Sequence, residues 1–267
     1  MTPATQTPDV AEARPGVSRN ALILLAAWIA AGAALAAAPA ELAGRLLTFV
    51  FVILGWILAV MAHEFGHAFV AYKAGDHTIR AKGYLTLDPL KYVDVGVSIV
   101  IPILAVVLGG IGFPGGAVYL REDLMRNRVW RALASLAGPI GTLLAMIFLI
   151  VLLWGVAFSP LDTPGARMLC DALAFLAFLQ ATAFVLNLLP VPGLDGYGVI
   201  RPFLPQAWRQ GLRKFEGLAM VALFLAIFLL PGASRVIFTP ALFLTDVAGL
   251  PREMIQAGWD AFRFWRS

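Results

Sequence analysis

Three ionisable side chains stand within one short stretch of an otherwise apolar run: His63, Glu64 and His67, in the order His-Glu-Phe-Gly-His. On a helix, two histidines four residues apart differ by about 40° of rotation and about one turn of rise, so both imidazoles leave the same face. Glu64 lies about 100° further round, beside a shared ion rather than on it. This arrangement offers two zinc ligands and a carboxylate general base. The competing explanation is three hydrogen-bonded polar groups buried between helices. Each costs of order 2–3 kcal/mol or more at the bilayer centre, and ionisable residues placed there are functional by default. His77, the third histidine, falls in a polar stretch and reads as a loop residue.

A catalytic zinc takes three protein ligands and keeps a fourth position for water. No histidine remains on an apolar run, so the candidates for the third ligand are Asp94, Asp171, Asp195 and Asp246. Asp195 stands out because it follows Asn187-Leu-Leu-Pro-Val-Pro-Gly-Leu194 and precedes Gly196. Prolines and glycines break a helix there and let a side chain turn into a cavity. Taken alone, Asp195 reads rather as a helix-terminal turn residue in Pro-Gly-Leu-Asp-Gly. Two histidines and one carboxylate also suit iron, but the adjacent Glu64 favours hydrolysis and therefore one zinc per chain.

The elements that must position these groups are membrane helices. Apolar residues make up 60% of the 267, charged residues 13%, and mean hydropathy is +0.84. A soluble domain carries roughly a quarter charged residues. Much of the surface must therefore face lipid, and apolar runs of about eighteen residues read as spans. The net charge of +4 is scattered over short loops, where membrane topology places basic residues, so nucleic acid is set aside. The one cysteine, Cys170, excludes a disulfide framework.

Residues 1–19, with Pro3, Pro8 and Pro15, read as a disordered polar tail. Apolar runs follow at 20–38, 46–72, 93–112, 132–158, 168–189, 215–231 and 236–250. The first ends in small residues before Pro39, like a signal-peptide cleavage site, but its length favours an uncleaved helix. The stretch 77–92 interleaves polar and apolar residues around the turn signal Asp88-Pro89 and predicts a short β-hairpin. The expected fold is an all-α polytopic membrane protein with about six transmembrane helices, a small membrane-associated β-hairpin and a re-entrant segment. A transmembrane domain covers 20–250, with its core at 46–202, and 251–267 form a short basic C-terminal tail. No internal repeat is apparent.

The re-entrant segment is 93–112, broken by Pro102 and Gly109-Gly110. With residue 1 in the cytoplasm, a spanning 93–112 would put Arg121, Arg126, Arg128 and Arg131 outside, against the positive-inside rule. Re-entry keeps them inside, with Arg201, Arg209, Arg213 and Lys214, and with Arg252, Arg263 and Arg266 at the C-terminus. It also makes 168–189 run inward, which brings Asp195 to the depth of His63 and His67. Charge placement and ligand geometry agree.

HEFGH on a spanning helix followed far downstream by NLLPVPGLDG resembles the site-2 protease family of intramembrane zinc metalloproteases, in a compact bacterial form without PDZ or CBS modules. Gly83–Asp94 looks like the family's membrane-associated β-element and Ala137-Gly138-Pro139 like its Gly-Pro helix; the likeness covers about 46–202. The resemblance implies that His63, His67 and Asp195 bind zinc, that Glu64 activates water, and that Asn187 contacts substrate or the developing oxyanion. It implies transmembrane protein or peptide substrates and a multi-pass position in a bacterial-type inner membrane. Tyr92, Asp88 and Thr142 depart from the His, Asn and Asn common at those places, and all three lie outside the ligand set. A metal-handling transporter or a non-proteolytic regulator is the alternative. The first should show repeated halves, the second a spoiled Glu64 or ligand.

Overall fold

The computed structural model describes residues 16–38, 42–91, 119–160 and 163–266. Four of its helices are long and apolar enough to cross a membrane: α1 (Arg19–Ala37), α2 (Leu42–Ala74), α4 (Arg128–Ala157) and α5 (Pro164–Asn187). Between α2 and α4 lies the four-residue α3 (Thr78–Ala81). After α5 come the six-residue α6 (Asp195–Ile200), α7 (Gln206–Arg213), α8 (Glu216–Leu229), α9 (Arg235–Val247) and α10 (Arg252–Phe262). The runs expected at 215–231 and 236–250 thus appear as helices of 14 and 13 residues. Among the described residues, about six full-length spans are not reached.

Local signals set the ends. Ser18 caps α1 by accepting the Ala21 N–H, Asn127 caps α4 through Trp130, and Thr163 caps α5 through Ala166 with Pro164 in the first turn. Pro190 and Pro192 follow the end of α5 and forbid its continuation. The helix α5 has charged residues, Arg167 and Asp171, only in its first turns, and 83% of its most apolar stretch is buried, against no more than 39% in the other three. It is the central post, packed by α1, α2, α4, α9 and α10. The outer helices instead expose large apolar side chains, such as Leu22, Ile29, Leu144, Phe148 and Val151.

The four long helices alternate in direction. The start of α4 meets the end of α2, where the Arg126 N–H donates to the Ala74 carbonyl (3.0 Å). At the opposite end, the Thr163 hydroxyl before α5 donates to the Ala36 carbonyl of α1 (3.2 Å). Lys82 Nζ donates to the Tyr119 carbonyl (2.8 Å) and the Arg121 N–H to buried Asp76 (2.8 Å). The described chain therefore stops and resumes at the same end of the bundle, on either side of 92–118. The expected re-entrant segment 93–112 lies outside the described residues.

The expected β-hairpin at 77–92 is not found; among residues 77–91 there is no strand. Asp76 Oδ1 accepts from both the backbone N–H and the hydroxyl of Thr78 (3.1 and 2.5 Å), which starts the helical turn α3. Asp88 Oδ1 accepts from Leu90 N–H (3.2 Å) at a 3-10 turn over Pro89–Lys91. The alternating pattern between them serves burial instead, with Tyr84 and Leu85 packed on Ala68, Ala71 and Ile79. The carbonyls of residues 85–87 find their partners far away, while the Thr86 N–H donates locally to the Gly83 carbonyl (3.2 Å). The Gly16 and Ser18 N–H groups donate to the carbonyls of Leu85 (3.2 Å) and Thr86 (2.8 Å), and the Ser18 hydroxyl to that of Leu87 (3.3 Å).

The C-terminal charges need a second correction. Phe262 of α10 stacks on Phe49 near the start of α2 and against Phe175 of α5. Arg263 and Arg266 thus lie at the end of the bundle opposite the HEFGH end of α2, not beside it. The aromatic face of α10 decides its place, and the positive charges follow.

Candidate metal centre

Helix α2 supplies His63 and His67 from one face, as four-residue spacing requires, and their Nε2 atoms lie 3.0 Å apart. The turn after Pro190 and Pro192 passes through Gly193, whose φ of +98° is open to glycine, and delivers Asp195 at the start of α6. The Asp195 Oδ2 lies 3.2 Å from His63 Nε2, and Oδ1 lies 3.2 Å from His67 Nε2. The three residues form the one group of metal-ligating side chains among the described residues, with ligand atoms within 4.8 Å of one another.

The hydrogen bonds behind the imidazoles decide which nitrogen faces the group. His67 Nδ1 lies 2.7 Å from the Ala134 carbonyl, which can only accept, so Nδ1 carries the proton. His63 Nδ1 lies 2.8 Å from the Thr142 hydroxyl, which turns its own hydrogen towards the Gly138 carbonyl (3.4 Å). In both rings the Nε2 lone pair is left facing Asp195. Fixing the tautomer from behind is how metal-binding histidines are held. The separations of 3.0–3.2 Å are close to the edge of about 3.3 Å expected of a tetrahedron with bonds of about 2.0–2.1 Å, so the donor set fits zinc.

Room for an ion depends on Gly138 of α4. A Cβ there would stand 2.1 Å from His67 Nε2 and 2.7 Å from His63 Nε2. The Gly-Pro pair noted in the sequence thus forms the floor of the site. Thr142, one turn further on, orients His63, a role the sequence gives no direct sign of. Its only signal is that Gly138 and Thr142 share a face of α4.

The group opens into a cavity of about 400 Å³ that Glu64 and Asn187 also line. Both are buried, Glu64 at 4% exposure beside the two histidines and Asn187 at 3% as the last residue of α5. All five residues named from the sequence therefore meet in one cavity. His77 stands apart, its ring edge-on to Tyr72.

At the mouth, Arg201 pairs with Glu122 and lies 3.6 Å from Glu216 at the start of α8. Burial lowers the Arg201 pKa from its ordinary value, Glu216 works against that, and Arg213 and Arg209 add to it. A guanidinium remains charged under such shifts. In the sequence Arg201 counts only as an inside charge and Glu122 and Glu216 have no role, because Glu122 meets Arg201 across 79 residues of chain.

No known family's sequence model matches the chain, and no solved structure matches it. Curated relatives do. A candidate zinc metalloprotease of Mycolicibacterium smegmatis, Rip2, is 42% identical over 248 residues, covering 91% of this chain and 92% of its own. Rip2 of Mycobacterium tuberculosis is 42% identical over 217 residues, 81% of each chain. YwhC of Bacillus subtilis, also a candidate zinc metalloprotease, is 32% identical over 191 residues, 70% of this chain and 84% of its own. With identity at this level across most of both chains, the chain belongs to the site-2 protease family of zinc metalloproteases.

Proposed function

We propose that the chain is an intramembrane endopeptidase that cuts transmembrane segments of other membrane proteins from a site facing the cytoplasmic half of the bilayer. The observation that carries this reading is the depth of the ligand group. His67 and His63 precede Ala74, the end of α2, by about 10 and 16 Å at about 1.5 Å per residue. The same end of the bundle carries Lys73, Arg80, Lys82, Arg121 and Arg126, as a cytoplasmic face should. The cell membrane of a bacterium, crossed several times, is the corresponding location.

His63, His67 and Asp195 would hold one zinc, whose positive charge polarises a water molecule when bound. The chain's own chemistry surrounds it. Glu64 accepts the water's proton and returns it to the amine nitrogen as the peptide bond breaks. Asn187, at the cavity wall, offers an amide N–H to the oxygen that gathers negative charge. The Ala134 carbonyl and Thr142 keep both imidazoles from turning. A substrate helix must unwind to bring an amide into this cavity. Strand addition to a hairpin at 77–92 is not supported, since the carbonyls of Leu85 and Thr86 already accept from residues 16–18.

The test is Glu64→Gln in detergent-purified protein. About one zinc per chain should remain while cleavage of a spanning peptide disappears. Full activity in that variant, or no cleavage by zinc-loaded wild type, would sink the proposal.

A further inference from the structure

Peptide hydrolysis leaves charges where there were none. One amide and one water become one carboxylate and one ammonium, so R–CO–NH–R′ + H₂O gives R–COO⁻ + R′–NH₃⁺. Both ends arise in a cavity walled by buried residues, and desolvated charges need partners. Among the described residues that line this cavity, Arg201 is the one arginine or lysine.

Its surroundings are arranged for exchange. One side of the guanidinium pairs with Glu122. On the other, Nη1 lies 3.6 Å from Glu216 Oε1, too far for a hydrogen bond. That carboxylate oxygen is buried and has no hydrogen-bond partner among the described residues. The hydroxyl of Tyr197 is in the same condition; the residue is 3% exposed, lines the same cavity, and its oxygen is unpartnered. The Tyr197 hydroxyl can donate to a carboxylate, and the guanidinium edge that Glu216 holds only loosely can receive one, with Glu216, itself an acceptor, giving way.

A second cavity of about 620 Å³ begins where the first ends. Leu120, Glu122, Arg201 and Glu216 line both, and the second continues along α7 past Arg209 and Arg213. The Arg201 pairs thus stand on the boundary between the metal cavity and a vestibule lined by three further cations, Arg121, Arg209 and Arg213.

Resting on the peptidase reading, we infer that Arg201, assisted by the Tyr197 hydroxyl, receives the new α-carboxylate in place of Glu216 and passes it to the vestibule. A planar guanidinium holds a carboxylate through two parallel N–H bonds, so the exchange trades a loose pair for a close one. Arg201 then distinguishes a peptide that ends in a carboxylate from the same peptide ending in a carboxamide.

The experiment uses zinc-loaded protein in detergent and two inhibitors of cleavage: a capped hydrophobic hexapeptide ending in a free carboxylate, and the same peptide as its carboxamide. Zinc itself favours the acid, so the readout is each variant's acid-to-amide ratio against wild type. Arg201→Gln should weaken the acid peptide about fivefold, a charged hydrogen bond discounted for partial exposure, and leave the amide unchanged. Glu216→Gln should strengthen the acid peptide by removing its competitor. A latch with only a structural role would weaken both peptides in both variants. That outcome, or an unchanged ratio in Arg201→Gln, overturns the inference. Should Arg201→Gln fail to fold, an unchanged or lowered ratio in Glu216→Gln overturns it alone. Loss of zinc binding or cleavage in wild type counts against the peptidase reading instead.

Discussion

The two walls of the metal site are built differently. The histidine wall is the seam between α2 and α4, where helical spacing, a glycine floor and two hydrogen bonds from behind fix each imidazole. Its side chains are 9% and 8% exposed. The aspartate wall is a six-residue helix after a Pro/Gly turn, and the Asp195 side chain is 21% exposed. Beyond its packing on α4, that short helix leads into Arg201, which pairs with Glu122 and lies 3.6 Å from Glu216. One wall is set by the fold itself, and the other is brought to it across the chain. An ion bound between them would cross-link the two, so each wall should fail in its own way.

The largest effect should come from the rigid wall. Gly138→Ala places a methyl group 2.1 Å from His67 Nε2, so either the imidazoles or the helix seam must give. Alanine gains about 1 kcal/mol over glycine in a helix interior, while overpacking costs about 1–3 kcal/mol. We expect zinc to fall from about one per chain to none, with a lower melting temperature. Metal analysis and a thermal melt of the purified variant check both. Normal zinc content would mean that the seam yields more easily than its packing suggests. Asp195→Ala breaks the other wall and should also remove zinc but leave the melting temperature of the metal-free protein nearly unchanged, because it truncates a side chain that is 21% exposed and borders a cavity already open. A large drop in the metal-free melting temperature would show that Asp195 is as much a packing element as the glycine.

The same contrast governs what the sequence can reveal. The histidine pair is a local pattern, four residues apart on one helix, and needs no tertiary knowledge. Asp195 is harder, since only the helix-breaking Pro190, Pro192 and Gly193 mark it. Its meeting with α2 had to be inferred from charge placement, and the alternating directions of the four long helices bear that inference out. Partners 67 and 79 residues away, the Ala134 carbonyl and Thr142, leave no mark in spacing. Neither does the docking of residues 16–18 on 85–87, so the alternation reads as a hairpin although the carbonyls of 85–87 pair with the chain's own N-terminal side. The C-terminal arginines misled for a related reason. Positive charge is a weak guide to sidedness when an aromatic face such as that of α10 already has a place to pack.

Thr142→Val is the gentlest of these changes and the sharpest test of the comparison. Valine keeps the shape of threonine and removes only the hydroxyl that His63 Nδ1 uses. His67 retains the Ala134 carbonyl, so one imidazole stays oriented while the other is free to turn or to adopt the other tautomer. Loss of such an outer partner typically lowers metal affinity by about 10- to 100-fold. Zinc should still bind at high concentration, and competition with a chelator should place the variant between wild type and Asp195→Ala. Full zinc affinity would mean that helix packing alone orients His63. Complete loss would mean that the hydroxyl is indispensable to the site, and the wall described as rigid would then depend on one hydrogen bond.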